Sequence, residues 1–228
     1  MNELFWAVML GLNFVAILVA FRLWGKIGLF IWIPISVILA NIQVTKTVEI
    51  FGLEATLGNV VYATSFLATD ILSECFGKRD AMQAVGIGFF SLVVMTVLMN
   101  VALYFKPAPS DFVQESMTTI FALMPRIALG SLVAYLASQL HDINAFEFWR
   151  RKRPEPKWLW LRNNASTMIS QLIDTLLFTI IAFWGVYEWS VLWQIMVTTY
   201  LLKWVVSILD TPFMYMARSW YTQGKVQP

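Results

Sequence analysis

Seven long apolar segments constrain this chain more than any other feature of its sequence. They cover residues 4–21, 28–45, 59–76, 81–105, 118–148, 164–184 and 189–217. An α-helix needs about 20 mainly apolar residues to cross roughly 30 Å of hydrocarbon, and each segment meets or approaches that length. Only 13% of the residues are charged and 59% are hydrophobic, which leaves too few charges to solvate a globular surface. The sequence therefore predicts an all-α, polytopic transmembrane bundle of about seven spans, formed by one domain over residues 1–228.

The basic residues of the connections fall almost entirely on one side of the predicted bundle. The opposite side has only Lys46 and Lys106. Cytoplasmic loops carry an excess of Lys and Arg, so the sequence predicts a multi-pass protein of the cytoplasmic membrane with its N-terminus outside and its C-terminus inside. The stretch 150–157 is interpreted as a topology-setting loop, and no nucleic-acid partner is predicted. The twelve residues on the basic side are Arg22, Lys26, Lys78, Arg79, Arg150, Arg151, Lys152, Arg153, Lys157, Arg162, Arg218 and Lys225.

Four of the segments carry polar side chains at helical spacing, and the second segment adds Asn41 and Gln43. A charge at mid-bilayer costs about 2.5–3.5 kcal/mol on insertion scales, so each one needs a partner or a function. A polar stripe in lipid must face other helices or a water-filled cavity. In chain order the four stripes are Asp70 and Glu74; Ser131, Tyr135, Gln139 and Asp142; Asn164, Thr167, Gln171, Asp174 and Phe178; and Thr199, Lys203, Ser207 and Asp210.

These stripes have two interpretations. Interhelical hydrogen bonds alone would explain most hydroxyl and amide groups, at about 0.6 kcal/mol each. For Asp70, Asp174, Arg126 and Lys203 we favour a functional cavity, because small hydroxyls join helices more cheaply than full charges do. A purely structural pair of Asp174 with Lys203 stays open. If Asp174 faces a hydrated cavity, we expect Asp174→Asn to abolish transport and to leave the fold intact.

The sequence gives no support for metal, redox or enzyme chemistry. The lone Cys75 excludes a disulfide framework, and with the lone His141 it excludes a His/Cys metal cluster. Proteolysis within the membrane by a serine nucleophile needs a Ser–His pair inside the bilayer, whereas His141 lies at the cytoplasmic boundary of its segment. Asp142 beside it is interpreted as a helix-end partner of Arg150 or Lys152. No cofactor, no metal and no enzymatic activity are therefore predicted.

The residues 68–78, ATDILSECFGK, closely followed by Ala81, resemble the signature of the queuosine-precursor transporter family, which is also described as vitamin-uptake-transporter-like. Further stretches fit the same pattern from about Asn41 to Pro212. The resemblance implies a six-helix core, at about residues 28–217, that imports deazaguanine bases across the cytoplasmic membrane. The segment 4–21 lies outside that core. The further matching stretches are Arg126 with Ser131, Tyr135, Gln139 and Asp142; Asn164 with Ser166, Thr167, Gln171, Asp174 and Thr175; and Lys203 with Pro212.

The chemistry of these residues suits the substrate that the resemblance implies. A carboxylate accepts two parallel hydrogen bonds from the N–H and amino edge of a guanine-like base. Amide and cationic side chains supply donors to its carbonyl and ring nitrogens, and aromatic rings cover its faces. Which of Asp70, Glu74 and Asp174 meets the base is left open. The candidate substrate-binding residues are Asn41, Gln43, Asp70, Glu74, Arg126, Tyr135, Gln139, Asn164, Gln171, Asp174 and Lys203.

Several properties have more than one interpretation at this point. The chain contains no Gly-rich nucleotide-binding loop, so the alternative function is that of a substrate-binding subunit of an ATP-driven vitamin importer, which needs partner subunits. Import coupled to protons and facilitated diffusion are equally compatible with the acids in the spans. A homodimer is also left open.

Overall fold

The computed structural model describes residues 1–185 and 188–226. Long helices account for most of these residues, and five of the helical stretches are long and apolar enough to cross a membrane. The predicted all-α membrane bundle is therefore confirmed. In chain order the elements are α1 (Asn2–Gln43), β1 (Thr47–Ile50), β2 (Leu53–Thr56), α2 (Asn59–Cys75), α3 (Lys78–Ala102), α4 (Gln114–Phe121), α5 (Met124–Lys152), a 3₁₀ turn (Pro156–Trp158), α6 (Leu159–Phe183) and α7 (Trp189–Thr222).

Helix α1 is a hairpin of two antiparallel arms, residues 2–24 and 26–43. The reversal occurs at Gly25, whose φ of 56° and ψ of −131° are not helical. Glycine reaches such a positive φ without the steric penalty of a Cβ atom. The arms lie so close that a Cβ on Gly28 would be 2.1 Å from the carbonyl oxygen of Ala20. The segments 4–21 and 28–45 thus correspond to the two arms.

Helix α2 occupies the centre of the bundle. Every one of its 17 residues is buried except Tyr62 and Glu74, which are half-buried. It packs against α1, α3, α5 and α7, while α6 lies along α5 and α7. At 17 residues α2 does not reach the length of an isolated membrane span, and its surroundings are protein on all sides. The total of seven spans stays a prediction.

Proline accounts for one difference from the predicted helices. The segment 118–148 is divided into α4 and α5, and Pro125 lies in the first turn of α5, where its missing N–H has no helical partner to lose. Before α4, Asp111 accepts hydrogen bonds from the backbone N–H groups of Val113 and Gln114, both at 2.8 Å. Those bonds lower the pKa of Asp111. Pro34 and Pro212, by contrast, lie inside continuous helices.

A short β-hairpin was not expected from the hydropathy pattern. Strands β1 and β2 pair antiparallel, with Thr47 opposite Thr56. The N-terminus of α1 lies against this hairpin, because Asn2 Nδ2 donates to the carbonyl oxygen of Glu49 at 2.9 Å and Glu3 accepts from the backbone N–H of Phe51 at 3.2 Å. The hairpin and the N-terminus therefore share one end of the bundle, which we call the hairpin end.

The connections that carry the basic residues meet at the opposite end, which we call the basic end. Lys26 forms an ion pair with Asp80 at 3.4 Å. The ring of Phe76 lies 5.1 Å from that of Tyr221 near the end of α7, and Arg22 lies over the ring of Trp220. The start of α1 and the end of α7 therefore lie at opposite ends of the bundle, as the charge pattern predicts.

Candidate functional site

A pocket lies between the second arm of α1 and helices α2, α5, α6 and α7, towards the hairpin end. Its cavity volume is about 30 Å³ in this closed structure, well below the roughly 300–1,000 Å³ typical of small-molecule sites, so the helices must move apart to admit a ligand. Its wall combines polar, charged and aromatic groups from all five elements. They are Asn41, Asn59, Tyr62, Ser131, Asp174, Phe178 and Lys203.

An ion pair forms one wall of this pocket. The ammonium of Lys203 contacts Oδ2 of Asp174, and the two side chains are only 2% and 4% exposed. Tyr62 Oη donates to Asp174 Oδ1 at 2.6 Å, and Ser138 Oγ donates to the same oxygen at 3.4 Å. The ammonium also lies 5.0 Å from the centre of the Tyr62 ring. The pair is thus held by α2, α5, α6 and α7 together, and it presents an anion and a cation side by side.

Two asparagines extend the polar wall towards the hairpin end. Asn41 Nδ2 donates to the carbonyl of Val37 at 2.9 Å, and its buried Oδ1 has no hydrogen-bond donor among the described residues. Asn59 Nδ2 donates to Thr56 at 2.8 Å and to Thr199 at 3.3 Å. Since buried polar atoms are nearly always paired, the Asn41 oxygen is an acceptor available to a ligand.

Tyr135, Gln139 and Gln171 are fully buried beneath the pocket and do not form its wall. The Tyr135 ring lies 5.9 Å from that of Tyr62. Gln139 Oε1 accepts from Thr69 at 3.2 Å. Within the described chain, Gln139 Nε2 and both amide atoms of Gln171 have no partner. These three predicted residues therefore support the pocket from below, with amide groups that the closed bundle does not satisfy.

Asp70 belongs to a separate group of three buried carboxyls, which we call the acidic cluster: Asp70, Asp142 and Asp210. None is more than 1% exposed. Thr167 Oγ1 donates to Asp70 Oδ2 at 3.2 Å, and Asp142 lies within hydrogen-bonding reach of Asp70. The interpretation of Asp142 as a helix-end partner of the basic loop is wrong, because its helix turns it into the bundle.

Glu74 belongs to a third polar group, at the basic end, which we call the arginine clamp: Glu74, Arg162 and Arg218. Oε1 of Glu74 accepts from Arg162 Nη2 at 2.9 Å and from Arg218 Nε at 2.8 Å. Arg162 is fully buried and also donates to the backbone carbonyls of residues 153 and 154. Arg150 adds a bond of 2.7 Å to the carbonyl of Ser73. The predicted acid Glu74 thus closes the basic end.

The remaining predicted residues lie away from the pocket wall. Arg126 is exposed and donates to the carbonyls of Ile181 and Trp184, so it satisfies the C-terminal end of α6. Asn164 donates to the Trp160 carbonyl and to Thr211 Oγ1, both at 2.8 Å. Gln43 lies at the end of α1, outside the wall.

The sequence reasoning missed two polar residues of the pocket wall, Asn59 and Tyr62. Tyr62 precedes Asp70 by eight residues, with Phe66 halfway, so all three share one face of α2. The four-residue spacing therefore contained the signal, but a tyrosine in an apolar segment does not stand out as a charge does. The Arg162 side chain was missed for a different reason, since it was assigned to the cytoplasmic loop.

Comparisons of the sequence with known proteins show to which family this chain belongs. The family model described as "Putative vitamin uptake transporter" matches residues 56–217. The "Probable queuosine precursor transporter" of Bacillus subtilis is 46% identical over 217 residues, which is 95% of each chain. The "Queuosine precursor transporter" of Escherichia coli is 30% identical over 148 residues, covering 64% of this chain and 62% of that protein.

A third relative, the "Probable queuosine precursor transporter" of Haemophilus influenzae, is 28% identical over 155 residues, or 68% of this chain and 63% of its own. No solved structure matches the chain. The match of the family model covers all the helices that form the pocket except the second arm of α1. This chain is a member of the vitamin uptake transporter family.

Proposed function

We propose that this protein imports queuosine precursors, which are deazaguanine bases, across the cytoplasmic membrane. The observation that carries the proposal is the buried Asp174–Lys203 pair on the wall of a pocket inside a membrane bundle. A buried ion pair costs desolvation energy that a purely structural contact between helices does not require. Three relatives named for the same substrate class support this proposal.

The side-by-side charges suit one edge of a guanine-like base. Such an edge presents an N–H donor next to a carbonyl acceptor. The Asp174 carboxylate would accept from the N–H, and the Lys203 ammonium would donate to the carbonyl. The rings of Tyr62 and Phe178 provide aromatic surface for the flat faces of the base, and Asn41 Oδ1 is the acceptor that remains open.

The positions of the pocket and of the arginine clamp, at different ends of the bundle, support import as the direction of transport. The pocket lies near Val44, Gly58 and Asn59, next to the hairpin end, whereas the arginine clamp closes the basic end. If the twelve basic residues are cytoplasmic, the pocket receives its substrate from outside. The N-terminus then lies outside and the C-terminus inside.

An uptake measurement with the purified protein alone in liposomes tests this function. We expect it to carry a labelled 7-deazaguanine base across the bilayer. Uptake only after addition of ATP-hydrolysing partner subunits would instead identify a substrate-binding subunit of an ATP-driven importer. Absence of uptake and of binding for every deazaguanine base would refute the proposed substrate class.

A comparison of two Tyr→Phe variants tests whether the pocket is the substrate site. Tyr62→Phe keeps the ring in the pocket and removes the donor to Asp174, and a hydrogen bond to a charged group contributes about 1.5–3 kcal/mol. The bond exists before the base binds, so its loss acts on affinity only by leaving the Asp174 carboxylate less firmly positioned, and we expect the apparent affinity for the base to fall by up to about tenfold. The matched control is Tyr104→Phe, because Tyr104 is 87% exposed in the loop after α3. Equal affinities of the two variants would show that the pocket is not the substrate site.

A further inference from the structure

The acidic cluster is distinct from the substrate pocket. On α2, Asp70 follows Tyr62 by eight residues, a rise of about 12 Å along the helix axis. Asp142 from α5 lies beside Asp70, and Asp210 from α7 accepts a hydrogen bond of 2.6 Å from Asn163 Nδ2. The cluster therefore joins α2, α5, α6 and α7 at a depth between the pocket and the arginine clamp.

The cluster has no cation of its own. Lys203 is paired with Asp174, and Arg162 and Arg218 are paired with Glu74. Among the described residues, no Lys, Arg or His nitrogen lies within 4 Å of a carboxylate oxygen of Asp70, Asp142 or Asp210. Three adjacent carboxylates without a cation, at this depth, cannot all stay charged.

The hydrogen bonds around the cluster also lack donors. Within the described chain, Oδ2 of Asp210 and Oδ1 of Asn163 have no hydrogen-bond donor. The hydroxyls beside Asp142 donate to other acceptors; they belong to Ser166, Thr167 and Ser170. Asn163 is fully buried, and its amide is directed at the cluster because its nitrogen already bonds Asp210. A proton on a carboxyl supplies a donor to such a set of acceptors.

The charged groups that surround the cluster are all accounted for. Glu74 lies one turn further along α2 and is paired with both Arg162 and Arg218, so the clamp carries a net charge of +1. On α5, the ring of His141 contacts Ser170 Oγ at 2.9 Å. Helix α6 contributes the neutral groups of Asn163 and Thr167. Helix α7 contributes Asp210.

We propose that Asp70 and Asp142, with Asp210 beside them, bind one transported proton, and that its movement drives substrate import; this inference rests on the proposed function. The proton joins a carboxylate oxygen and is shared between Asp70 and Asp142, and it leaves the same oxygen towards the basic end. No other bond forms or breaks. Two carboxyls sharing one proton are a stable arrangement where both cannot ionise.

The cluster is connected to the pocket through α5. Asp142 follows Ser138 by four residues, and Ser138 donates to Asp174 in the pocket wall at 3.4 Å. Both residues therefore lie on the same face of one helix. A shift of α5 on protonation would reach the substrate site without an intervening loop.

Proteoliposomes with a labelled 7-deazaguanine base test the coupling. With a pH gradient of about one unit, acidic outside, we expect accumulation of up to about tenfold over the external concentration, for one proton per neutral base. In Asp142→Asn and Asp70→Asn we expect the accumulation ratio to fall to about one, while downhill uptake persists. Asp80→Asn is the control, because Asp80 is a partly exposed acid at the basic end.

The wild-type protein gives a second readout that does not depend on folding of the variants. In vesicles that contain a pH-sensitive dye, addition of the base outside should acidify the interior. Absence of acidification, accumulation that persists in both variants, or accumulation driven only by a sodium gradient would each overturn the proton site. Exchange of labelled for unlabelled base without any gradient tests transport separately, so its loss would count against the proposed function.

Discussion

Variants of the Asp174–Lys203 pair test whether water in the pocket solvates the two charges. Removing one partner of a buried pair leaves the other charge uncompensated, at a cost of about 3–5 kcal/mol. One side of this pair faces the pocket, so we expect the low end, about 3 kcal/mol, for Asp174→Asn and for Lys203→Met alone. The double variant removes both charges and should unfold within about 1 kcal/mol of the wild type.

Thermal unfolding of the purified protein in detergent measures these differences. For a chain of this length, 1 kcal/mol corresponds to about 2–4 °C in Tm, so each single variant should melt roughly 6–12 °C lower. The same cycle on Lys26 and Asp80 is the control. That pair has an N–O distance of 3.4 Å and side chains 37% and 22% exposed, so we expect at most about 1 kcal/mol for any of its variants.

The outcome decides between two descriptions of Asp174. If both single variants melt within about 2 °C of the wild type, water in the pocket solvates each charge, and the reasoning from a buried pair is wrong. The expectation for a hydrated cavity, in which Asp174→Asn loses transport but keeps the fold, would then apply. A double variant that melts as low as the single variants would also refute the pair, because the two effects would not compensate.

Two further predictions concern the fold and the orientation of the chain. Gly28→Ala places a Cβ 2.1 Å from a backbone carbonyl of the opposite arm, so we expect Tm to fall clearly. Gly11→Ala is the control, because Gly11 has open space around it and the variant should melt like the wild type. Equal Tm values for the two variants would contradict the close contact of the arms. In a Cys75→Ser background, a cysteine at Asn2 should react with a membrane-impermeant reagent from outside and a cysteine at Gln223 only from inside. Reaction of both from one side would refute the predicted orientation.

The helices were predictable because hydropathy along the chain is a local property. Segments of membrane length appear wherever apolar residues continue, and the arms of α1, the C-terminal end of α6 and the start of α7 follow from that pattern. The β-hairpin at Thr47–Thr56 was not predictable in this way, since it lies outside the apolar segments and its eight paired residues give only a weak alternation. The division of α4 from α5 required the position of Pro125 within its first turn.

The candidate site was only partly predictable, because periodicity identifies a face of a helix and not the helix that it meets. The stripe on α2 continues through Asp70 and Glu74, yet these residues belong to two different polar groups at different depths. The ion pair of Asp174 with Lys203 was foreseen as one alternative. Glu74 meets guanidinium groups 88 and 144 residues later in the chain, and no local pattern encodes such a contact.

In the proposed mechanism, the order of the three polar groups along α2 connects substrate recognition, proton coupling and substrate release. Tyr62 lies in the pocket, Asp70 in the acidic cluster and Glu74 in the arginine clamp, with axial steps of about 12 Å and 6 Å. Substrate in the pocket can leave at the basic end only after α2 separates from α6 and α7, because the clamp ties all three helices together.

That separation breaks a charge-assisted contact and lets water reach Arg162, whose side chain is fully buried in the closed bundle. The water that reaches Arg162 and Glu74 also reaches Asp70, one turn from Glu74 on α2, and stabilises its ionised form, so the proton leaves. Opening at the basic end and proton release are therefore coupled by solvation alone, and the coupling needs no contact between the proton and the substrate.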